Sequence, residues 1–143
     1  MKNCILAILS FLFLISGVNC SSANFKNQHI QREWMLVSFA GFTKDQLIAN
    51  KAGIDLTGEK TDIINGNALM GCNRIFFAME FRNRGKLNIS DIKNPKTVCK
   101  NMDLENKFLE SFPAMNSYKV EGHYLTLSDD KGNEMKFIAA DWD

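Results

Sequence analysis

Few side chains in this sequence are of types that do chemistry, and their spacing decides what they can do together. Cysteines stand at 4, 20, 72 and 99, histidines at 29 and 123, and acidic groups at Asp129-Asp130 and in Asp141-Trp142-Asp143. Neither histidine has a second ligand at metal-binding spacing, and the cysteines lack the C-x-x-C separation of a redox pair or zinc ribbon, so no metal is expected. His29 lies in a polar stretch and reads as a solvated linker residue; His123 follows Gly122 and reads as part of a turn, not as a catalytic base. Calcium ligation or paired-carboxylate work is chemically open to the acidic groups. They fall, however, in a hairpin loop and at the chain end, with Lys131 beside Asp130. No phosphate-binding glycine loop, nucleophile elbow or dinucleotide fingerprint occurs. A hydrolase would have only scattered Asp and Glu behind it. The chain is therefore read as non-enzymatic, with no catalytic residue and no cofactor.

The remaining chemistry is a cross-link. From Asn65 an apolar segment runs into Gly71-Cys72-Asn73-Arg74. Gly71 and Asn73 are turn formers, so backbone geometry fixes Cys72 between them. Cys4 and Cys20 belong to an N-terminal leader, which leaves Cys72 and Cys99 as an even pair. In an oxidising compartment that pair is expected to form a disulfide; the alternative is two free thiols, and nothing nearby has the electropositive character a reactive thiol needs.

The leader is read from Lys2, a 14-residue apolar run from Ile5 to Val18, and the break at Ser16-Gly17. It is too short to span a bilayer, which takes about 20 apolar residues, and has the form of a secretory signal. Two cuts stay open. Cleavage before Cys20 would make a lipoprotein with Cys20 as its lipid anchor, although Gly17 and Asn19 depart from the usual lipobox. Cleavage after Ala23 would satisfy the small-x-small rule through Ser21 and Ala23. The organisation is then a signal peptide over 1–19 (or 1–23), a linker over 20–31 and one domain over 32–143. The expected location is the cell envelope, as periplasmic or lipid-anchored outer-membrane protein, or otherwise secreted. Removing residues 1–19 takes away Lys2 and no acid, leaving 16 basic and 16 acidic residues. A neutral chain without a basic cluster offers nothing to nucleic acid.

Hydrophobic patterning supplies the elements that would position these residues. Trp34, Leu36 and Ser38 alternate with Glu33, Met35 and Val37, a strand closed by Gly41. Thr43 to Ala52 is a loop or short helical turn; Ile54 and Leu56 mark a short strand; Asp62 to Leu69 is the next. Turn lengths then fix three hairpin registers. Asn83-Arg84-Gly85 sets Phe81 opposite Leu87 and Met79 opposite Ile89. Gly122-His123 sets Val120 opposite Leu125 and Tyr118 opposite Leu127. Asp130-Lys131-Gly132 sets Leu127 opposite Met135 and Leu125 opposite Phe137. One helix is expected over about 101–112, with Leu104, Phe108 and Phe112 in a core-facing stripe widened by Leu109, Asn101 or Asp103 as cap, and Pro113 as stop.

In order and spacing, Trp34-Met35-Leu36, Gly71-Cys72-Asn73-Arg74, Cys99, Leu104-Glu105 with Phe108-Leu109, and Leu125-Thr126-Leu127 with Gly132 resemble the META domain of the HslJ heat-shock protein family. The family's Thr, variable, Met, variable, Cys pattern is shortened here to Thr97-Val98-Cys99. The resemblance implies an α+β domain in which a curled antiparallel sheet forms an incomplete β-barrel with one main helix packed against it. It also implies an envelope or secreted protein linked to heat shock and, in some bacteria, to novobiocin tolerance, with no catalytic residue. The functional expectation is a monomeric stress-resistance binding protein whose partner is an envelope protein or an apolar ligand. The alternative is a pilotin-like or lipocalin-like carrier whose barrel holds an acyl chain among the eleven phenylalanines and seven methionines, against a core those residues simply fill.

Overall fold

A computed structural model describes residues 29–59 and 62–142. The leader, Cys4, Cys20 and most of the stretch read as a linker lie outside the described residues. Eight strands follow the chain in order: β1 Glu33–Phe39, β2 Gly53–Asp55, β3 Ile63–Leu69, β4 Arg74–Arg82, β5 Lys86–Lys93, β6 Ser117–Glu121, β7 Tyr124–Ser128 and β8 Glu134–Ala139. Helix α1, Lys44–Ala49, lies between β1 and β2, and helix α2, Asp103–Ser111, between β5 and β6.

Each strand pairs antiparallel with the next, and β1 pairs with β8, so the sheet is a closed up-and-down barrel. This overturns the expected incomplete barrel and the α+β class: the fold is mainly β. Closure comes from two seams that no turn announces. β1 and β8 pair at five positions, Trp34 opposite Ala139 through Phe39 opposite Met135. β5 meets β6 at one pair, Lys86 opposite Ser117, beside the Leu87 N–H donating to the Asn116 carbonyl at 3.0 Å. Tyr118 reinforces that narrow seam, its ring edge-on to Phe81 at 4.9 Å. The three hairpin registers expected from turn length are the ones observed.

A bulge changes one strand reading. The β1–β8 register shifts between Leu36 and Ser38, so Phe39, not Ser38, joins Trp34 and Leu36 inside. Ile30, in the stretch read as a linker, is buried, and its carbonyl accepts the Trp34 indole N–H at 2.9 Å.

An eight-stranded barrel is just wide enough either to be filled by its own side chains or to hold one small ligand. Here it is filled. Trp34, Ile64, Met79, Leu125, Leu127, Met135 and Phe137 are fully or almost fully buried, and α2 closes one end. Phe108 stacks on Phe112 at 4.4 Å, Phe112 meets Phe77 edge-on at 4.9 Å, and Phe108 meets Phe39 edge-on at 6.5 Å. The helix starts without a side-chain cap at Met102; Asn101 instead accepts the Asp103 N–H at 3.1 Å.

Candidate functional site

In an up-and-down barrel alternate connections share an end. The β3–β4 corner and the β5–β6 connection, which carries Cys99 and α2, therefore meet at the plugged end. Cys72 and Cys99 are joined there in a disulfide, their Cα atoms 6.1 Å apart. Gly71 takes φ +108°, a backbone conformation that favours glycine, and a Cβ on it would have to displace the Asn50 side chain.

Asn73 is a buried clamp. Its Nδ2 donates to the Thr97 carbonyl at 2.9 Å, and its Oδ1 accepts the Thr97 N–H at 3.1 Å. Glu105 of α2, completely buried, accepts the Asn73 backbone N–H at 2.7 Å and Asn73 Nδ2 at 2.6 Å, with Asn94 Nδ2 at 3.4 Å. A buried carboxylate without donors would be costly, and these amides supply them. The Gly71-Cys72-Asn73 element is thus a structural lock that docks the 94–102 segment and α2 onto the corner. Sequence reasoning assigned Glu105 no role, yet its position four residues before Leu109 places it on the apolar stripe. An acid at a core-facing helical position was the available signal. Thr97 contributes its backbone to the clamp.

Arg74 belongs to a different surface. β4 residues alternate, and Arg74 points outward, where its Nη1 donates to Asn67 Oδ1 at 2.5 Å. Asn67 Nδ2 in turn donates to Asp55 Oδ2 at 3.2 Å, and Asp55 Oδ1 accepts the Thr57 hydroxyl at 2.6 Å and the Thr57 N–H at 2.9 Å. Burial pushes the Asp55 carboxyl up, but the Thr57 and Asn67 hydrogen bonds and the Arg74 charge outweigh it and hold it below its ordinary value.

The strand register extends from Arg74 into a row across the outside of the barrel. Arg74 lies opposite Leu69, Leu69 opposite Gly53, Gly53 opposite Met35, Met35 opposite Ile138 and Ile138 opposite Tyr124. Met35 is 48% exposed and matters only through its place in this row, next to Ile138 and, across Gly53, to Leu69. Gly53 leaves a floor between Met35 and Leu69, since a Cβ there would lie 2.6 Å from the Trp34 carbonyl oxygen. Beside this floor stands α1, whose Thr43–Gln46 capping box starts it, whose Leu47 is buried and whose Ile48 is 62% exposed. The result is an external groove of about 730 Å³ between α1 and the β8–β1–β2–β3 wall. Its charged lining is Lys44, Lys51 and Arg74 against Glu33 and Asp55.

The remaining candidates stay apart. Asp129 accepts the N–H groups of Lys131 and Asn133, both at 2.9 Å, and Asn133 Nδ2 at 2.7 Å, so its carboxylate is engaged in the hairpin turn. Asp141 pairs with Arg32 at 3.6 Å. His123 stacks on Trp142 at 4.6 Å. Among the described residues, no group of three or more His, Cys, Asp or Glu side chains could hold a metal ion.

The family model of the META domain matches residues 27–142. A crystal structure of a DUF4847 family protein from Bacteroides vulgatus superposes with a TM-score of 0.53 at 14% identity, covering 82% of this chain and 99% of that chain. At that identity the likeness is one of fold. A search among curated proteins gives no significant match.

Proposed function

The chain belongs to the META domain family, and on that premise we propose that it is an exported, non-enzymatic binding protein of the bacterial cell envelope that acts in stress resistance, with the external groove as its binding site. The observation that carries this reading is the contrast between a barrel filled by its own side chains and a roomy apolar groove outside it. A groove of this size lies within the ~300–1,000 Å³ typical of small-molecule sites. The same contrast disfavours a lipocalin-like carrier with its ligand inside the barrel.

Export is supported by the leader pattern and by the Cys72–Cys99 disulfide, a bond that persists in oxidising compartments. The stress role rests on the likeness to HslJ proteins. Native mass spectrometry of protein recovered from the envelope of a Gram-negative host tests export and anchoring: a mature N-terminus at residue 20 or 24 is expected, with acyl mass on Cys20 in the first case. Retention of Met1 in the cytoplasm would overturn export. Titration with a fluorescent long-chain alcohol, a neutral apolar probe, tests binding. Saturation at one probe per chain is expected, and unsaturable partition would overturn it.

A further inference from the structure

We infer that the groove takes a single-chain amphiphile with a carboxylate head, of the long-chain fatty-acid class, lying across the strands with its head at Arg74. This rests on the groove reading above. Within the groove the row has a direction: Ile138, Met35 and Leu69 are apolar and Arg74 closes it with a cation, while Lys136, which lies over the Tyr124 ring at 4.5 Å beyond Ile138, is not part of the groove lining. From Ile138 on β8 to Arg74 on β4 there are four interstrand steps, about 19 Å at the usual spacing. The row is also narrow. One flank is the adjacent outward row, polar at Glu33, Asp55 and Asn67, and the other is α1 with Ile48. An unbranched apolar chain suits that slot, whereas a fused-ring or two-chain lipid would force Glu33 and Asp55 out of water.

The head chemistry follows from the charges. Arg74 spends one of its five N–H groups on Asn67, which orients the planar guanidinium, and guanidinium is suited to gripping a carboxylate through two parallel hydrogen bonds. Asp55, already an anion beside Arg74, sets the limit: one added negative charge is matched by Arg74, with Lys44 and Lys51 elsewhere in the groove lining, while a doubly charged phosphate monoester head would add a second.

The test uses the purified chain with its disulfide intact and three fluorescent probes of equal chain length: a carboxylic acid, an alcohol and a phosphate monoester. The acid should saturate at one per chain and bind about tenfold or more tightly than the alcohol, the scale of a charge-assisted bidentate contact. Arg74→Gln should bring the acid down to the alcohol's affinity and leave the alcohol unchanged. Ile48→Gln, at an exposed site where folding is not at stake, should weaken both. Equal binding of acid and alcohol, with Arg74→Gln silent, overturns the carboxylate head and leaves the groove reading standing. Preference for the phosphate monoester overturns the ligand class. Failure of every probe to saturate overturns groove and head together. A dimer in sedimentation that Ile48→Gln dissolves would assign the groove to a second copy of the chain and overturn the amphiphile.

Discussion

Replacing Asn73 by alanine isolates the lock from the disulfide. The substitution removes three side-chain hydrogen bonds: two with the Thr97 backbone and one to Glu105, leaving only the Asn73 backbone N–H and the longer Asn94 contact on that buried carboxylate. A hydrogen bond to a charged group contributes about 1.5–3 kcal/mol, and a neutral one about 1 kcal/mol. Thr97 is exposed, so water replaces part of what its backbone loses. The expected loss is about 3 kcal/mol, a large share of the ~5–15 kcal/mol typical of a domain. Urea unfolding of oxidised protein should show the midpoint falling by about 1.5 M with unchanged slope, for a slope near 2 kcal/mol/M. Asn73→Asp keeps the shape but sets a carboxylate against Glu105. Glu105 then faces an acceptor where it had a donor, so that variant should be the less stable of the two at neutral pH. A loss below about 1 kcal/mol for Asn73→Ala, or an Asn73→Asp protein as stable as the parent at pH 7, would refute the reasoning.

Other perturbations bear on neighbouring parts of the fold. Cys72→Ser with Cys99→Ser should cost about 3.5 kcal/mol in the chain-entropy model for the 27-residue separation, read as a lower melting temperature that reductant no longer changes; unchanged melting would refute it. Phe108→Ala should cost about 3–5 kcal/mol by opening a cavity against Phe39 and Phe112, and a loss under about 1 kcal/mol would show that α2 does not plug the barrel. The Asp55 carboxyl is held below its ordinary value, so its contribution is present above the unfolded pKa of about 3.9 and is lost as pH falls through the lower folded value. Asp55→Asn should therefore flatten the acid limb of the stability profile below about pH 4, whereas parallel profiles would exclude that role.

What the sequence disclosed was local. The turn over 83–85 fixes Phe81 opposite Leu87 because a short loop leaves the register no freedom, and the same holds at 122–123 and 130–132. The β1–β8 seam joins segments about a hundred residues apart with no turn between them, so nothing local could show that the sheet closes. The Val37 bulge was hidden likewise, because strict alternation carries no mark of one extra residue. The groove was illegible for a different reason. Met35, Leu69 and Ile138 are each an unremarkable outward apolar residue in their own strands, and only the pairing of four strands sets them in one row.

The Gly71-Cys72-Asn73-Arg74 element then divides by strand parity into two roles. Asn73 turns inward to Glu105 and Thr97, and Arg74, the next residue, must turn outward because successive side chains leave opposite faces of the strand. The lock fixes where β4 begins, and that starting point determines that Arg74 stands opposite Leu69 and not one residue along. A slip of one residue would carry the guanidinium into the barrel and Ile75 out of it. The disulfide and the buried Glu105 therefore hold the cation at the end of the apolar row without touching it.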